Sequence, residues 1–139
     1  MPIVQTQTTS FKKELYQAIH DLSTDVLKIA LYTGNADLNE DTTAYTTTAE
    51  ITGTGYSAGG KVLTGTTIGS SGYTAYVDFD NVEWTPAAFT TRCALIYNAS
   101  KANRSIAVLD FGSDKTASTT FTIVMPVNDA NSALIRSSN

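Results

Sequence analysis

One stretch of the chain has the glycine and lysine spacing of a phosphate-binding loop, Gly55-Tyr56-Ser57-Ala58-Gly59-Gly60-Lys61. Such a loop needs a hydroxyl residue after the lysine to reach magnesium, and a helix whose N-terminus faces the phosphates. Here Val62 follows the lysine, and the next residues are β-formers interrupted by a glycine. The sequence therefore predicts a turn between strands and no nucleotide binding.

A second pattern concerns Asp37, Asn39 and Asp41, which alternate as in the first half of a calcium-binding loop. The glycine expected at the sixth position is Thr42, and the carboxylate expected at the twelfth is Thr48. This excludes a helix–loop–helix calcium site. We interpret the stretch as a solvated acidic loop, with a looser calcium site as the alternative, and predict no bound metal.

Three carboxylates, Asp78, Asp80 and Glu83, surround Trp84 and raise the question of a glycosidase, since these enzymes use paired carboxylates. Strand alternation predicts that Asp78 points outward together with Thr74 and Tyr76. The same alternation predicts an inward face made of Tyr73, Ala75, Val77 and Phe79. Carboxylates that flank a turn commonly lie side by side, so we predict no catalysis.

The remaining reactive side chains are His20 and Cys93, the only histidine and the only cysteine. Asp21 follows His20 directly, and neighbouring helical residues do not face each other. Cys93 lies in an apolar strand pattern, where a buried structural thiol is expected. We therefore predict that the chain is not an enzyme and uses no cofactor.

Composition points to a β protein that does not bind nucleic acid or membranes. Of the 139 residues 23 are threonine, which suits a half-exposed pleated surface, and only 16% are charged against about 25% in typical proteins. The net charge is −4 and the nine basic residues are scattered, whereas nucleic-acid binders cluster them. No signal peptide or membrane-spanning run is recognisable, so we expect synthesis and folding in the cytoplasm.

The first 22 residues suggest an extended arm followed by one helix. Residues 1–9 have no helical period and no charged side chain, which predicts an arm that orders on a partner and whose removal changes stability by no more than about 0.5 kcal/mol. Ser10 can cap a helix, and apolar residues then recur at spacings of three and four up to Leu22. We predict a short helix over residues 10–22.

From Val26 onward the apolar period is two, which predicts strands. About eight are expected, at 26–32, 61–64, 73–79, 82–84, 91–97, 104–111, 119–125 and 133–136, with turn residues between them. Residues 34–60 are poor in aliphatics and are interpreted as an extended surface excursion. The predicted fold is an all-β antiparallel sandwich or jelly roll, with residues 10–139 forming one domain.

Four residues are candidate protein contacts. Ile3 and Val4 lie in the predicted arm, which could add a strand to a neighbouring chain. Tyr45 and Tyr56 lie in the predicted excursion, where a packed core would not explain them, and tyrosines favour interfaces because they bury much area at low entropic cost. A frayed end and an ordinary loop are the alternatives.

Several segments resemble a family of small virion-associated proteins of tailed bacteriophages. They are Ser10 to Leu15, Val26 to Thr33, Thr54 to Gly60, Ala94 to Asn98, Ala107 to Gly112 and Ala133 to Arg136. The resemblance spans nearly the whole chain and rests on short structural sequence motifs that contain no catalytic pattern. It implies a non-catalytic decoration protein that cements neighbouring major capsid subunits on the outer surface of the phage head.

Two further expectations accompany this resemblance. Accessory proteins on an icosahedral shell usually sit at or near symmetry axes, so we expect a homo-oligomer, a dimer or a trimer. Jelly rolls also serve as lectins, so the alternative function is a tail-fibre or baseplate module that binds a receptor or carbohydrate.

Overall fold

The computed structural model describes residues 3–138, and within this range the chain forms ten strands and one helix. The strands are β1 (Thr6–Gln7), β2 (Leu27–Tyr32), β3 (Lys61–Val62), β4 (Thr67–Ser71), β5 (Thr74–Asp78), β6 (Val82–Trp84), β7 (Phe89–Asn98), β8 (Arg104–Ala117), β9 (Phe121–Ile123) and β10 (Ile135–Ser137). The helix α1 spans Thr9–Tyr16. The all-β class with one N-terminal helix is confirmed.

The strands form three antiparallel sheets. The largest has the order β1-β8-β7-β2-β3, the second β10-β5-β4, and the third pairs β6 with β9. The centre of the largest sheet is the long β7–β8 pair, whose register shifts between Thr91 and Cys93 and again between Ile96 and Tyr97. The predicted strands are all present, 82–84 with the predicted bounds and the others with changed bounds, and β1 and β4 are additional.

The side chains of β2 alternate between two apolar clusters, one on each face of the largest sheet. Leu27, Ile29 and Leu31 face the larger cluster, which also contains residues of the other two sheets and of α1. Ala30 and Tyr32 face a smaller cluster on the opposite side. Apolar runs at strand period predict burial of seven residues, and the structure confirms all of them: Leu27, Ile29, Leu31, Trp84, Leu95, Val108 and Ile123.

The segment from residue 34 to 60 covers the outer face of the largest sheet. Ala36 and Leu38 are buried in the smaller cluster, and Tyr45 packs against it. Isolated bridges tie the segment to the sheet at Tyr32–Glu50 and Ala44–Arg104. The segment therefore lies at the surface, as predicted, but its few apolar residues pack into the fold, Ala36 and Leu38 in the smaller cluster and Ile51 in the larger one.

The helix is shorter than predicted and begins one residue earlier. The Thr8 hydroxyl caps it by accepting the Phe11 N–H at 3.3 Å, so Ser10 is not the cap. Ala18 adopts a left-handed conformation with φ of 57°, which ends helical geometry after Tyr16. Apolar spacing continues through Leu22, but residues 17–22 are not helical.

The N-terminal segment is docked on its own chain. β1 pairs antiparallel with β8, placing Thr6 opposite Val108, and the Val4 N–H donates to the Leu38 carbonyl at 3.0 Å. The prediction of an arm ordered only by a partner was wrong for residues 3–9, because β1 pairs with β8 and the N–H groups of Val4, Thr8 and Thr9 donate within the chain. Met1 and Pro2 lie outside the described residues.

In the hairpin β4–β5, three side chains point the opposite way from the predicted inward and outward faces. Tyr73 lies in the turn and is 91% exposed, and Ala75 is exposed as well. Asp78, predicted to point outward, is 2% exposed. The prediction treated residues 73–79 as one regular strand, but the strand ends at Asp78, and both Asp78 and Phe79 are buried at its end.

Candidate functional site: protein-contact surfaces

Ile3 and Val4, the predicted contact residues of the N-terminal segment, have different surroundings. Ile3 is partly buried against the smaller apolar cluster, whereas Val4 is 37% exposed. The Gln5 side-chain carbonyl accepts the Asp110 N–H at 3.0 Å beyond the end of β1. Val4 is thus the member of this pair that offers apolar surface outside the fold.

Tyr45 and Tyr56 belong to an internal polar cluster centred on Glu50. The Tyr45 hydroxyl donates to Glu50 Oε1 at 2.7 Å, and the Tyr56 hydroxyl donates to Oε2 at 2.5 Å. The Gly59 N–H donates to Oε2 at 2.8 Å. Burial, together with the adjacent Glu50 carboxylate, raises the pKa of both phenols above the usual range. The premise that packing does not explain these tyrosines was wrong.

The two rings lock the covering segment onto the sheet. Tyr45 stacks on Tyr97 with ring centroids 4.8 Å apart, and the Tyr97 hydroxyl donates to the Gly59 carbonyl at 2.6 Å. The Tyr56 hydroxyl also accepts the Leu31 N–H at 3.0 Å. Sequence reasoning missed this arrangement, although a glutamate six residues before a tyrosine in an otherwise neutral stretch was its one visible signal.

The glycines of the phosphate-loop-like stretch permit close backbone approaches. A β-carbon at Gly55 would lie 1.8 Å from the Pro86 carbonyl oxygen, and one at Gly60 would lie 1.8 Å from the Ile29 carbonyl oxygen. Both have positive φ, which glycine adopts readily. Lys61 Nζ donates to the Glu83 carbonyl and lies 5.8 Å from the Trp84 ring centroid. β3 follows directly, as expected for a turn between strands.

The predicted acidic loop is held by its own side chains. Asn39 Nδ2 donates to Asp37 Oδ1 at 2.9 Å, and Asn39 Oδ1 accepts the Asp41 N–H at 2.8 Å. Within residues 3–138, no three His, Cys, Asp or Glu side chains are grouped so that they could hold a metal ion.

Asp78 is the one buried side chain of the described residues with an unsatisfied oxygen. Its Oδ1 accepts the Phe79 N–H at 2.9 Å, whereas Oδ2 has no partner. Burial raises the pKa of this carboxyl above its usual value, and it outweighs the backbone N–H groups of Phe79 and Leu134, which favour the charged form. Asp80, two residues away, is exposed, so the structure places only one of the two aspartates inside the protein.

A polar network that sequence reasoning missed joins α1 to the end of β7. His20 Nε2 lies 2.8 Å from Glu14 Oε1, and His20 Nδ1 lies 3.0 Å from Asn98 Nδ2. Asn98 Nδ2 also donates to Asp25, whose carboxylate accepts from Lys101 at 2.9 Å. Burial opposes ionisation of Asp25, but the bonds from Asn98 and Lys101 lower its pKa to about 2. The hydrogen-bond partners of His20 are therefore Glu14 and Asn98, and its sequence neighbour Asp21 is not one of them.

Cys93 is a free thiol with no exposed surface, as the sequence predicts. Burial, with a smaller contribution from Asp110, raises the pKa of the thiol to about 12. The thiolate is the reactive form of cysteine, so this thiol is unreactive in the folded protein.

Apolar surface is exposed at several separate places. A groove of about 490 Å³ lies between β8 and β9, and most of its lining is apolar. Val124 lines it and is 73% exposed, and nearby Val127 is 69% exposed. Further exposed large apolar side chains are Leu15, Tyr16, Val26, Val62, Ile68 and Tyr73. These side chains expose apolar area to solvent.

No helix in residues 3–138 is long and apolar enough to cross a membrane. No family model matches the chain, and no curated protein and no solved structure shows significant similarity to it.

Proposed function

We propose that the chain is a non-catalytic virion structural protein of a tailed bacteriophage. Its most specific role in this proposal is decoration: it cements neighbouring major capsid subunits on the outer surface of the head, after synthesis in the host cytoplasm. The sequence phrases given above support the virion assignment. The exposed apolar side chains, above all Val124 beside the groove, are the observation that carries a binding role.

The inward use of reactive groups supports a role without catalysis. Glu50 is engaged by two phenols and a backbone N–H, and His20 lies between Glu14 and Asn98. Cys93 is buried with a raised pKa. An active site needs such groups to face a reacting molecule, whereas here they hold segments of the chain together.

We also infer that the three sheets form the two layers of a β-sandwich of the jelly-roll kind. The larger apolar cluster supports this layering, because it combines Ile96 of the largest sheet, Ile135 of the second and Trp84 of the third. Antiparallel sheets that share a core in this way bury one face of each sheet. In this architecture the groove between β8 and β9 lies where two sheets meet.

Quantitative mass spectrometry of purified particles, with heads and tails fractionated, tests the proposal. Decoration predicts that the chain occurs in head fractions at a ratio to the major capsid protein of the order of one. A few copies confined to tail fractions would favour the rival module that binds a receptor or carbohydrate. Its absence from both fractions would contradict a virion role.

A matched pair of variants tests whether exposed apolar surface makes the contact. Val124→Lys removes such surface and adds a charge, and Asn128→Lys adds the same charge at an exposed polar position nearby. Burying one valine contributes roughly 1.5–3 kcal/mol, which corresponds to about tenfold or more in affinity. We expect Val124→Lys alone to bind stripped particles more weakly in competition with the unmodified chain. Equal occupancy of all three proteins would exclude the Val124 surface.

A further inference from the structure

Strand β4 forms an outer edge of the second sheet and lacks the usual protection of an edge. Proteins normally block exposed edges with lysines, prolines or bulges, since an open edge templates pairing with another chain. β4 contains none of these, and its register with β5 is continuous from Thr67 to Ser71. It also lies within the longest uncharged stretch of the chain, the sixteen residues from Val62 to Val77.

The hairpin geometry decides which backbone groups point away from β5. Gly72 and Tyr73 form its two-residue turn, and Gly72, the first of them, has φ of 59°. Such a turn makes the flanking residues Ser71 and Thr74 a hydrogen-bonded pair. Because bonded and non-bonded pairs alternate along an antiparallel ladder, the N–H and C=O groups of Ile68 and Ser70 point outward. No backbone partner for them occurs in residues 3–138.

An apolar row on one face of this sheet continues to the same edge. Ile135, Val77 and Ile68 lie directly opposite one another on β10, β5 and β4. Ile135 is 5% exposed, whereas Ile68 is 53% exposed. The row therefore extends beyond the core, and one more strand beside β4 would cover its last member.

On the opposite face Tyr76 reaches across β4. It lies opposite Gly69, and a β-carbon at position 69 would come within 2.9 Å of the Tyr76 hydroxyl. The phenol thus covers the glycine and carries its hydroxyl toward the open edge. A side chain other than glycine at this position would displace the ring.

We propose that β4 pairs with β4 of a second copy, antiparallel and around a two-fold axis at Gly69. In this register Ile68 lies opposite Ser70 of the partner, so the outward groups of each copy meet matching groups of the other in about four hydrogen bonds. Each Ile68 gains a neighbour, and the two Tyr76 phenols approach across the axis. The two three-stranded sheets become one sheet of six strands.

Charge favours a second copy as the occupant of this edge. The protein carries a net charge of −4, so most contacts between two copies bring like charges together. The β4 edge avoids this because no charged residue occurs between Lys61 and Asp78. A two-fold contact also requires a surface that complements itself. The outward N–H and C=O groups of Ile68 and Ser70 are spaced symmetrically about Gly69, so they meet this requirement.

The interface is small. Stable complexes bury about 800 Å² on each partner, which a five-residue edge does not reach by itself. We therefore expect weak self-association that depends on concentration and strengthens where copies are crowded. The inference concerns the purified protein and does not depend on the decoration role.

Sedimentation velocity over a wide concentration range tests the pairing. The unmodified chain should show a weight-average sedimentation coefficient that rises toward that of a dimer. Ile68→Lys places a charge on the edge of each copy and should remain monomeric. Val62→Lys is the matched control, because Val62 is 51% exposed on the edge strand β3, and it should associate like the unmodified chain. Circular dichroism should show both variants folded.

Disulfide trapping tests the register. Ile68→Cys and Ser70→Cys proteins with different tags are mixed and oxidised, while the buried Cys93 stays out of the reaction. The proposed register predicts that the mixed dimer forms faster than either dimer of one variant. Equal rates for all pairs would overturn it. A chain that is monomeric at every concentration would overturn the self-association, even if Ile68→Lys also lost binding to particles, since the edge would then belong to another protein.

Discussion

At the scale of single residues, Asp78 is a buried carboxylate with one oxygen that has no partner. Its pKa in the folded protein is raised above the usual value of 3.8 because burial disfavours the charge. Folding therefore takes up protons at this site. Its contribution to stability is fully present below the unfolded pKa and is lost as pH rises through the folded value. Above the folded pKa the ionised group destabilises the fold.

We predict that Asp78→Asn stabilises the protein at neutral pH by about 1 kcal/mol, since a buried unsatisfied polar group costs roughly 1–3 kcal/mol and the amide is uncharged. The amide oxygen can still accept the Phe79 N–H. The advantage over the unmodified protein should shrink on acidification, as Asp78 becomes protonated. Urea unfolding at several pH values measures this, and Asp80→Asn is the exposed control. A difference independent of pH would contradict the explanation.

Glu50 supports the opposite prediction, a loss of stability when its charge is removed. Its carboxylate accepts three hydrogen bonds, from Tyr45, Tyr56 and Gly59. In Glu50→Gln one oxygen is replaced by a donor that cannot accept from any of them. We expect a loss of about 1–3 kcal/mol in the free energy of unfolding. Glu40→Gln, exposed in the same covering segment, should change it by less than about 0.5 kcal/mol.

These two residues show what the sequence could predict and what it could not. Burial of Leu31 and Trp84 follows from alternation inside apolar runs, which is a local property. The surroundings of Tyr45 depend on Glu50 and Tyr97, which are distant in sequence, and no local pattern indicates that the three side chains meet. Asp78 was misplaced because alternation was extended through the end of its strand.

At the scale of elements, the N-terminal segment acts as the outer strand of the largest sheet and as the cap of α1. Thr8 has no exposed surface, and its hydroxyl lies 2.9 Å from that of Ser105. The expectation that residues 1–9 contribute little to stability overlooked this long-range contact. Strand β4 was overlooked for a related reason: Gly69, Ser70 and Ser71 are turn-forming types, but only Gly72 and Tyr73 form the turn.

We predict that Thr8→Ala destabilises the protein by about 1 kcal/mol, the typical effect of losing a helix cap. Thr9→Ala is the matched control, because Thr9 is exposed and its side chain does not cap the helix. A chain that begins at Ser10 should lose more than Thr8→Ala, since it also lacks β1 and the bond from Thr9 N–H to the Glu40 carbonyl. Thermal unfolding compares the three proteins. Unchanged stability of the shortened chain would restore the view of a dispensable arm.

At the scale of the whole molecule, one face of the largest sheet packs in the larger apolar cluster with residues of the smaller sheets, and the other face is covered by residues 36–49. Cys93 lies under the second cover, opposite Tyr32 on β2 and Asp110 on β8. Its thiol can react only when this cover or the sheet opens. Labelling of Cys93 therefore reports how the covering segment separates from the largest sheet.

We predict that the native thiol resists labelling by an aromatic disulfide reagent, for two reasons. It has no exposed surface, and its pKa of about 12 leaves almost no thiolate at neutral pH. If the covering segment opens only with the whole fold, labelling should accelerate with denaturant as steeply as global unfolding does. If the segment opens alone, labelling at low denaturant should be nearly independent of denaturant.

Glu50→Gln distinguishes these two cases, because Glu50 fastens the covering segment through Tyr45, Tyr56 and Gly59. We expect the variant to label faster at low denaturant, by roughly tenfold for each ~1.4 kcal/mol lost, and with little dependence on denaturant, because the cover should detach before the sheet unfolds. Glu40→Gln should label like the unmodified protein. Faster labelling that keeps the full dependence on denaturant would mean that cover and sheet unfold as one unit.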